Sequence, residues 1–540
     1  MNDGEAIEAA VAQVKALLAA GDRVAAAAQA QAATAAGLDH PLLLNLTALA
    51  LERAGRLEES EIALRRALAL DPRDLGALHA LGLRLLQQER FVDASEMFRQ
   101  VVDIRPDVAP AHANRAAALE GMGLMQEAEQ AYLRALDLKP DLLTALLGRA
   151  RLLLRRGKPD EACSLARKVL LAHPGLPDAV LILAEGEIAL RKLETAVQRV
   201  QPIIASPASD PPQRALALGL MADALDRLDR PSEAFAVYSQ ANDVLMTHYR
   251  PRFGLGESLT DFAAALARWA QATPPRPTPA PKAPDAADRP SAHVFLLGFP
   301  RSGTTLLEQV LGSHPSVVAL EERDTLIEGA LRFLTSGGAG LDRLAQAQEA
   351  DLEDLRAAYW RHVHQEGVAV GGKLFLDKHP LNTLKLPLIA RLFPTARVLF
   401  AIRDPRDVVL SCFRRRFRMN NAMYQFLSLD GAAELYAHTV NAGLTLRPKL
   451  GLAWRDVVHE TLVADFDGEV ADICSFLGLY WDEALRDFAT RAQRSGTPSA
   501  PQVARGLNRE GVGYWRRYAE QLAPIAPRLR PFVERFGYSA

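Results

Sequence analysis

The 540-residue sequence contains few cysteines and has no excess of charge of either sign. Its three cysteines are odd in number and far apart, which predicts reduced thiols in a core rather than a disulfide framework or a zinc site. With 63 Lys and Arg against 65 Asp and Glu, the net charge of −2 gives no reason to expect nucleic-acid binding. We therefore predict neither a metal site nor a nucleic-acid partner.

Long apolar runs are also missing from the sequence. No apolar segment reaches the length of about 20 residues that a membrane-spanning helix needs. The sequence starts MNDGEAIEAAVAQVKALLAAGD, with acidic residues before a helical pattern, whereas a secretion signal has a basic region before an apolar one. We expect a cytoplasmic location. The chain is longer than one core usually supports, so more than one domain is expected.

A repeat of 34 residues runs through the first half of the chain. It is marked by prolines that close similar segments, at Pro72, Pro106, Pro140 and Pro174. Small residues keep the same phase where two paired helices must approach closely, at Ala26, Ser60, Ala94, Ala128, Ala162 and Ala196. The period is that of a helical-hairpin array, and the pattern resembles tetratricopeptide repeats (TPRs). We expect about six or seven hairpins over roughly residues 5–245.

Such hairpins stack into a solenoid, because each one leaves an apolar face that only its neighbour can cover. We assign residues 1–250 to this TPR solenoid. The sequence leaves open whether the solenoid holds a peptide or protein substrate, binds a partner, forms a homodimer or only stabilises the rest of the chain. Residues 273–290 are rich in Pro and Ala, which predicts an extended linker. We therefore assign residues 251–292 to a helix and linker, and residues 293–540 to a second domain.

The second domain opens with FLLGFPRSGTTLLEQVLGSHPSV, residues 295–317. An apolar strand ends at Gly298, and an amphipathic helix begins after Gly303. Backbone N–H groups at such a helix start, with Thr hydroxyls beside them, form an anion site. The two glycines have the spacing of an NTPase P-loop, but Thr304 stands where that motif needs Lys. An ordinary ATPase or GTPase is therefore disfavoured.

This loop resembles the 5′-phosphosulfate loop of sulfotransferases that use 3′-phosphoadenylyl sulfate (PAPS). That family's pattern P-[RK]-S-G-T-T is met by Pro300, Arg301, Ser302, Gly303, Thr304 and Thr305. A second motif lies in RVLFAIRDPRDVVLSCF, residues 397–413, where Arg403 ends a strand and Ser411 follows eight positions later. It resembles the family's 3′-phosphate motif, and a guanidinium can bind phosphate through two parallel hydrogen bonds. The resemblance implies PAPS as the co-substrate and no metal.

Apolar strands alternate with helical patterns after the linker, starting at His293 and continuing through Gly372–Leu376 and Arg397–Ile402. This alternation predicts a parallel sheet covered by helices, an α/β P-loop-like domain of the sulfotransferase fold. Its anion site should lie at the carboxyl ends of the strands, where open α/β sheets bind ligands.

Three residues are predicted to carry the reaction. The segment from Arg301 to Glu322 resembles that of protein-tyrosine sulfotransferases, in which a Glu at the position of Glu322 is the general base. The small-molecule branch of the family uses a His, and His379 is the alternative here. Lys378 resembles a family Lys that contacts the sulfuryl group, and it would stabilise the leaving phosphate. Our catalytic candidates are thus Glu322, Lys378 and Arg301, with the choice between Glu322 and His379 left open.

Two further points of resemblance have unassigned roles. Many relatives have Tyr where this chain has His459. Residues 497–518 resemble a loop that closes over the nucleotide, with residues 502–505 and Trp515 as its recognisable points.

The sequence thus predicts a two-part enzyme that transfers a sulfuryl group from PAPS to a hydroxyl acceptor. A peptidyl tyrosine is the first acceptor hypothesis, and a carbohydrate or lipid hydroxyl is the second. A different hypothesis is an adaptor whose α/β domain only senses a nucleotide, but intact Arg301, Lys378 and Arg403 argue against it. A kinase-like activity would instead require ATP and Mg²⁺.

Overall fold

The computed structural model describes residues 3–274, 290–335, 337–492 and 500–539. Within this part of the chain, the residues pack as two compact units, Met1–Leu190 and Arg191–Ala540. Most of the predicted linker, residues 275–289, lies outside the described residues. The predicted domain limits at residues 250 and 292 therefore stay predictions, and each unit is described by itself.

The first unit consists of helices joined by short turns. They are α1 (Asp3–Ala19), α2 (Arg23–Ala35), α3 (Pro41–Arg53), α4 (Leu57–Leu70), α5 (Leu75–Gln87), α6 (Phe91–Ile104), α7 (Ala109–Gly121), α8 (Met125–Leu138), α9 (Leu143–Arg155), α10 (Pro159–Ala172) and α11 (Pro177–Ala189). Each repeated proline lies between the end of one hairpin and the start of the next, where it cannot continue a helix.

The small residues of the repeat are buried between paired helices. Ala26, Ser60, Ala94, Ala128 and Ala162 are all fully buried. Neighbouring hairpins also pack closely, since a β-carbon at Gly148 in α9 would lie 2.5 Å from the ring of Tyr132 in α8. The prediction of helical repeats is confirmed.

The turn inside each hairpin contains one residue in the left-handed region. These residues recur at the repeat spacing: Gly21 (φ 80°), Gly55 (φ 74°), Glu89 (φ 60°), Gly123 (φ 78°) and Gly157 (φ 71°). Glycine adopts this conformation without the steric cost that a β-carbon brings. Glu89 is the residue of this series that has a β-carbon, and it therefore adopts the left-handed conformation with steric strain.

The second unit begins with four helices and continues into an α/β domain. The helices are α12 (Leu193–Ala205), α13 (Pro211–Arg227), α14 (Pro231–Phe253) and α15 (Leu259–Ala272). The α/β domain contains β1 (Ala292–Leu297), α16 (Thr304–Gly312), β2 (Val317–Glu321), α17 (Ile327–Phe333), α18 (Gly337–Gln346), α19 (Glu349–Gln365), β3 (Leu374–Lys378), α20 (Leu386–Leu392), β4 (Arg397–Ile402), α21 (Pro405–Arg414), α22 (Asn421–Gln425), α23 (Leu429–Leu446), β5 (Ala453–Val458), α24 (His459–Ala464), α25 (Phe466–Leu477), α26 (Phe488–Ala492), α27 (Ala500–Val503), α28 (Ala519–Leu522) and α29 (Ala526–Arg535).

The strands form a five-stranded parallel sheet in the order β2-β3-β1-β4-β5. Alternate residues of the strands enter two different cores. Phe295, Phe375 and Phe400 belong to the core on one face, whereas Leu296 and Leu376 belong to the core on the other. Both faces are covered, so the prediction of a helix-covered parallel sheet is confirmed.

Strand β2 was not foreseen from the sequence. It pairs with β3 in a register that places Glu321 opposite Lys378. The edge strand therefore brings the residue after it, Glu322, to the end of β3. None of the helices that the structure describes is both long and apolar enough to cross a membrane.

The left-handed turn of the third hairpin, at Glu89, generates a stability prediction. Glu89→Gly should raise the free energy of unfolding above that of Glu89→Ala by about 1 kcal/mol, because only the β-carbon is strained at φ 60°. Both variants lose the same carboxylate, so their difference isolates the backbone term. Gly157→Ala should lower the free energy of unfolding. Its β-carbon would meet open space, so the substitution adds backbone strain and no new contact. Urea unfolding followed by circular dichroism measures all three, and equal stabilities of the two Glu89 variants would contradict the assignment.

Candidate active site

The loop between β1 and α16 has a backbone that only particular residues can adopt. Gly298 has a φ of 144°, and a β-carbon there would lie 2.7 Å from the carbonyl oxygen of Ala401 on the adjacent strand. Gly303 has a φ of 96° and precedes the first residue of α16. Arg301 between them is also left-handed, with a φ of 74°. The two glycines let the loop turn tightly over the sheet end.

This loop presents the start of α16 and its hydroxyl side chains. Ser302, Thr304 and Thr305 are buried at this helix start. The first N–H groups of a helix have no partner within it and attract anions. The hydroxyl of Thr383 holds the first residue of the loop, since it donates to the carbonyl of Gly298 at 2.8 Å. The predicted loop residues are thus brought together in one turn.

The two predicted phosphate motifs meet in the structure. Arg301 donates from Nε to the Oγ of Ser411 at 2.9 Å. Arg403 donates from Nη1 to the backbone carbonyl of Arg301 at 3.2 Å. Among the described residues, the buried Nε of Arg403 has no hydrogen-bond partner. An unsatisfied buried donor is costly, and an anionic ligand would satisfy it.

A third guanidinium, which the sequence reasoning did not single out, adds to this positive charge. Burial and the guanidinium groups of Arg415 and Arg403 lower the pKa of Arg301 to about 9. Arg415 lies four residues after Ser411 and directly beyond α21. That spacing of one helical turn was a usable signal, but it was hidden within the basic run of residues 413–418. Like charges held together in this way favour binding of a multiply charged anion.

The C-terminal segment contacts both motif arginines. Gln502 accepts from Nη2 of Arg301 at 2.9 Å. The carbonyl of Gly511 accepts from Nη2 of Arg403. The Trp515 ring lies against the guanidinium of Arg406, whose Cζ is 3.7 Å from the ring centre. Gln502 and Trp515, which were predicted as recognisable points, thus lie at or next to the site, while residues 497–499 are outside the described part of the chain.

His459 lies directly beside the phosphate loop. A β-carbon at Gly303 would be 2.7 Å from its Nδ1. Burial, followed by the charges of Arg403 and Arg301, lowers the pKa of His459 to about 3. The imidazole is therefore neutral at physiological pH.

Lys378 is fully buried at the end of β3 and contacts two carboxylates. Its Nζ is 2.9 Å from Oε1 of Glu322 and 3.1 Å from Oε2 of Glu308. Burial alone would lower the pKa of Lys378, but the two carboxylates outweigh it and raise the pKa above its ordinary value. Glu308, which was not predicted, projects from α16 and is 2% exposed. Burial raises the pKa of Glu308 to about 7, against the opposing effect of Lys378.

The side chain of Glu322 is 40% exposed, but it is paired with Lys378 rather than free in solvent. Partial burial would raise its pKa, but the Lys378 ammonium, followed by His379 and Arg301, holds the pKa below its ordinary value. Its backbone is left-handed, with a φ of 41°, and its N–H donates to the Lys378 carbonyl at 2.8 Å. Strained backbone of this kind clusters at functional sites.

His379 lies near the same pair of residues. Burial and then the Lys385 ammonium lower the pKa of His379 to about 4. Among the described residues, its buried Nδ1 has no hydrogen-bond partner. Both candidate bases are therefore unprotonated at neutral pH, and their pKa values do not choose between them.

A cavity of about 190 Å³ lies between α13, α14 and the segment that follows Ser411. Most of its lining is apolar or aromatic, including Leu216, Tyr238, Leu245, Tyr249, Phe417, Met419, Met423, Phe426 and Leu427. Its volume is below the roughly 300–1,000 Å³ of sites for drug-sized ligands. It therefore suits a single ring or apolar side chain. Arg415 lines the same cavity, which links it to the guanidinium cluster.

No group of three or more His, Cys, Asp or Glu residues within the described ranges is placed to hold a metal ion.

Comparison with known proteins identifies both parts of the chain. Residues 293–483 match a model of the sulfotransferase family, and residues 11–74 and 79–142 match the tetratricopeptide repeat. The chain therefore contains a sulfotransferase-family domain and TPRs, as the two sets of motifs predicted.

Individual relatives are distant. An uncharacterized protein of Aquifex aeolicus (strain VF5) is 24% identical over 390 residues, which are 69% of this chain and 48% of that protein. Protein-tyrosine sulfotransferase 2 of Gallus gallus is 24% identical over 266 residues, which are 45% of this chain and 69% of that protein. The sulfotransferase domain of the Synechococcus PCC 7002 olefin synthase matches with a TM-score of 0.34 and 23% identity, over 48% of this chain and 98% of that domain. The chain thus spans about half the length of the Aquifex relative.

The buried Glu308 generates a pH prediction. Its pKa is raised from 4.5 to about 7 in the folded protein, so the folded state binds more protons than the unfolded state between these values. Stability should therefore fall as pH rises through this window, by up to roughly 3 kcal/mol at 1.4 kcal/mol per pKa unit. Glu308→Gln removes this contribution and should flatten the fall between pH 5 and 7. Urea unfolding across that range measures both slopes, and parallel curves would contradict the assignment.

Proposed function

We propose that this protein transfers a sulfuryl group from PAPS to a hydroxyl acceptor. The observation that carries the proposal is the cluster of Arg301, Arg403 and Arg415 beside the phosphate loop, with buried Lys378 at the end of the neighbouring strand. The donor set fits a ligand with two phosphate groups, because the positive charge is concentrated around two structural features. One is the start of α16, and the other is the pair Arg403 and Ser411.

The chain's own residues would divide the donor between them. Residues 300–305 would hold the 5′-phosphosulfate, and Arg403, Ser411 and Arg415 would hold the 3′-phosphate. The bound donor supplies the sulfuryl group and a phosphate leaving group. Lys378 and Arg301 would stabilise the negative charge that develops on that leaving group, since fixed cations in a dry site act strongly on developing charge.

Glu322 would take the proton of the acceptor hydroxyl. Its carboxylate is ionised and is held by Lys378, at the mouth of the phosphate site. The same ammonium therefore would orient the base and stabilise the leaving group. His379 remains the alternative base, since its imidazole is neutral and lies in the same region.

The acceptor we propose is a peptidyl tyrosine. The proposal is supported by the similarity of the chain to protein-tyrosine sulfotransferase 2 of Gallus gallus, which is 24% identical over 266 residues. A carbohydrate or lipid hydroxyl is the second candidate. We propose that the TPRs bind the substrate or a partner, and that the protein acts in the cytoplasm, with a homodimer as a further possibility to be measured.

The direct experiment is a transfer assay with radiolabelled PAPS and acceptor panels of tyrosine peptides, sugars and lipids. Transfer that persists in EDTA is expected, whereas dependence on ATP and Mg²⁺ would support a kinase-like activity. Binding of adenosine 3′,5′-bisphosphate, the donor product, is measured in parallel by calorimetry. Nucleotide binding with no transfer to any panel would favour the adaptor hypothesis, and absence of nucleotide binding would overturn the proposal.

Arg403 provides a test of donor recognition. Arg403→Ala should weaken binding of adenosine 3′,5′-bisphosphate by about one to two decades, since a hydrogen bond to a charged group contributes roughly 1.5–3 kcal/mol. Binding of AMP, which lacks the 3′-phosphate, should hardly change. Arg397→Ala is the matched control, because Arg397 lies at the opposite end of the same strand and bonds to the carbonyl of Leu477. Equal losses for both ligands in Arg403→Ala would count against the assignment.

Glu322 provides a test of the base. Glu322→Gln keeps the size of the side chain but removes proton acceptance, so kcat should fall by roughly 10²–10⁴, with nucleotide affinity nearly intact. Glu321→Gln is the adjacent control and should have a much smaller effect. His379→Asn tests the rival base in the same single-turnover assay. A larger defect in His379→Asn than in Glu322→Gln would transfer the role to the histidine.

A further inference from the structure

Asp226, in the last turn of α13, is a buried carboxylate with partners from two distant parts of the chain. The residue is 3% exposed. Its Oδ2 accepts from Nη2 of Arg414 and from the hydroxyl of Tyr514. Its Oδ1 accepts from the hydroxyl of Tyr518 at 2.6 Å and lies 3.2 Å from Nη1 of Arg517. The side chain thus joins the end of α21 to residues 514–518.

Such a contact is costly to build unless it is fully satisfied. A buried carboxylate loses its hydration, and only good partners on both oxygens offset that loss. Arg414 is enclosed by rings as well as by Asp226, with its Cζ 4.7 Å from the ring centre of Tyr514 and 5.2 Å from those of Tyr238 and Tyr518. The arrangement therefore fixes the position of Arg414 in several directions.

The elements joined by Asp226 are those that carry the proposed 3′-phosphate site. Helix α21 contains Ser411, and Arg415 follows Arg414 directly. Residues 511–518 include Gly511, whose carbonyl contacts Arg403. At the other end of α21, Asp407 accepts from the N–H groups of Gly513 and Trp515, both at 2.7 Å. The segment 511–518 is thus attached to α21 at both ends of the helix, directly through Asp407 and indirectly through Asp226.

We propose that Asp226 is a positioning residue of the nucleotide site, so that the α13–α14 hairpin forms part of the donor-binding machinery rather than a separate binding module. The inference rests on the proposed function, because it assumes a 3′-phosphorylated nucleotide at Arg403 and Ser411. Asp226 acts through Arg414, which precedes Arg415, and through Tyr514 and Tyr518, which hold the segment that contacts Arg403.

The test compares two ligands by calorimetry on the full chain. In Asp226→Asn, affinity for adenosine 3′,5′-bisphosphate should fall about tenfold, within the range reported for residues that act through a contact network. Affinity for AMP should change by less than about twofold, since the residues at the start of α16 do not depend on Asp226. A role in folding alone would weaken both ligands together or neither of them.

The control is Glu233→Gln, in the first turn of α14 of the same hairpin. Glu233 pairs with Arg230, the residue directly before α14, through two hydrogen bonds, and neither residue belongs to α21 or to residues 511–518. This variant should leave the ratio of the two affinities unchanged. Asp226→Glu keeps the charge and should restore at least part of the bisphosphate affinity.

The outcomes separate the inference from the proposed function. If the wild-type chain binds neither ligand, both the proposed function and this inference are overturned. If wild type binds bisphosphate and folded Asp226→Asn binds it equally well, only the inference is overturned. If Asp226→Asn does not fold, Tyr514→Phe decides, because it removes one hydroxyl donor and leaves the carboxylate paired. An unchanged ratio of affinities in Tyr514→Phe overturns the inference.

Discussion

The burial of the Lys378 ammonium is the constraint on which the candidate active site depends. A fully buried ammonium must be paired, and here it is paired by carboxylates from two different elements, Glu308 on α16 and Glu322 after β2. Lys378 holds the pKa of Glu322 low, whereas burial raises the pKa of Glu308 despite the same ammonium. The ion cluster therefore joins the phosphate-loop helix, the end of the edge strand β2 and the end of β3. A backbone hydrogen bond from the N–H of Glu322 to the Lys378 carbonyl joins the same two residues.

The guanidinium cluster also holds buried positive charge, but its hydrogen-bond partners are neutral oxygen atoms rather than carboxylates. Arg301 and Arg403 donate to hydroxyl, amide and carbonyl oxygens, and burial followed by the neighbouring guanidinium groups lowers the pKa of Arg301. Lys378 is compensated by the protein, whereas these arginines are arranged so that a bound anion would compensate them. In the proposed function the two groups of cations have different roles: Lys378 would orient Glu322, and the arginines would bind the anionic donor. That contrast supports the division of roles between Lys378 and the arginines.

Much of the fold and of the candidate site could be predicted from short stretches of the sequence. The 34-residue period identified the hairpins, since each unit repeats the same small residue and the same turn. The phosphate loop and Arg403 with Ser411 were visible because each motif spans only a few residues at the junction of a strand and the helix that follows it. Strand β2 was not visible, because its five residues become a strand only by pairing with β3, more than fifty positions away. Glu308 was missed for a related reason: within α16 it has the spacing of an ordinary helical residue, and only the fold brings Lys378 to it.

The 34-residue period of the repeats is broken at the α13–α14 hairpin. The left-handed turn residue recurs at Arg191, in phase with Gly157, but the next one is Asp229, four positions later than the period requires. The extra residues lie in α13, which has 17 residues where α5, α7 and α9 have 13. The longer helix ends with Asp226, whose partners are residues of the α/β domain rather than of another hairpin. A break in the period therefore coincides with a change of packing partner.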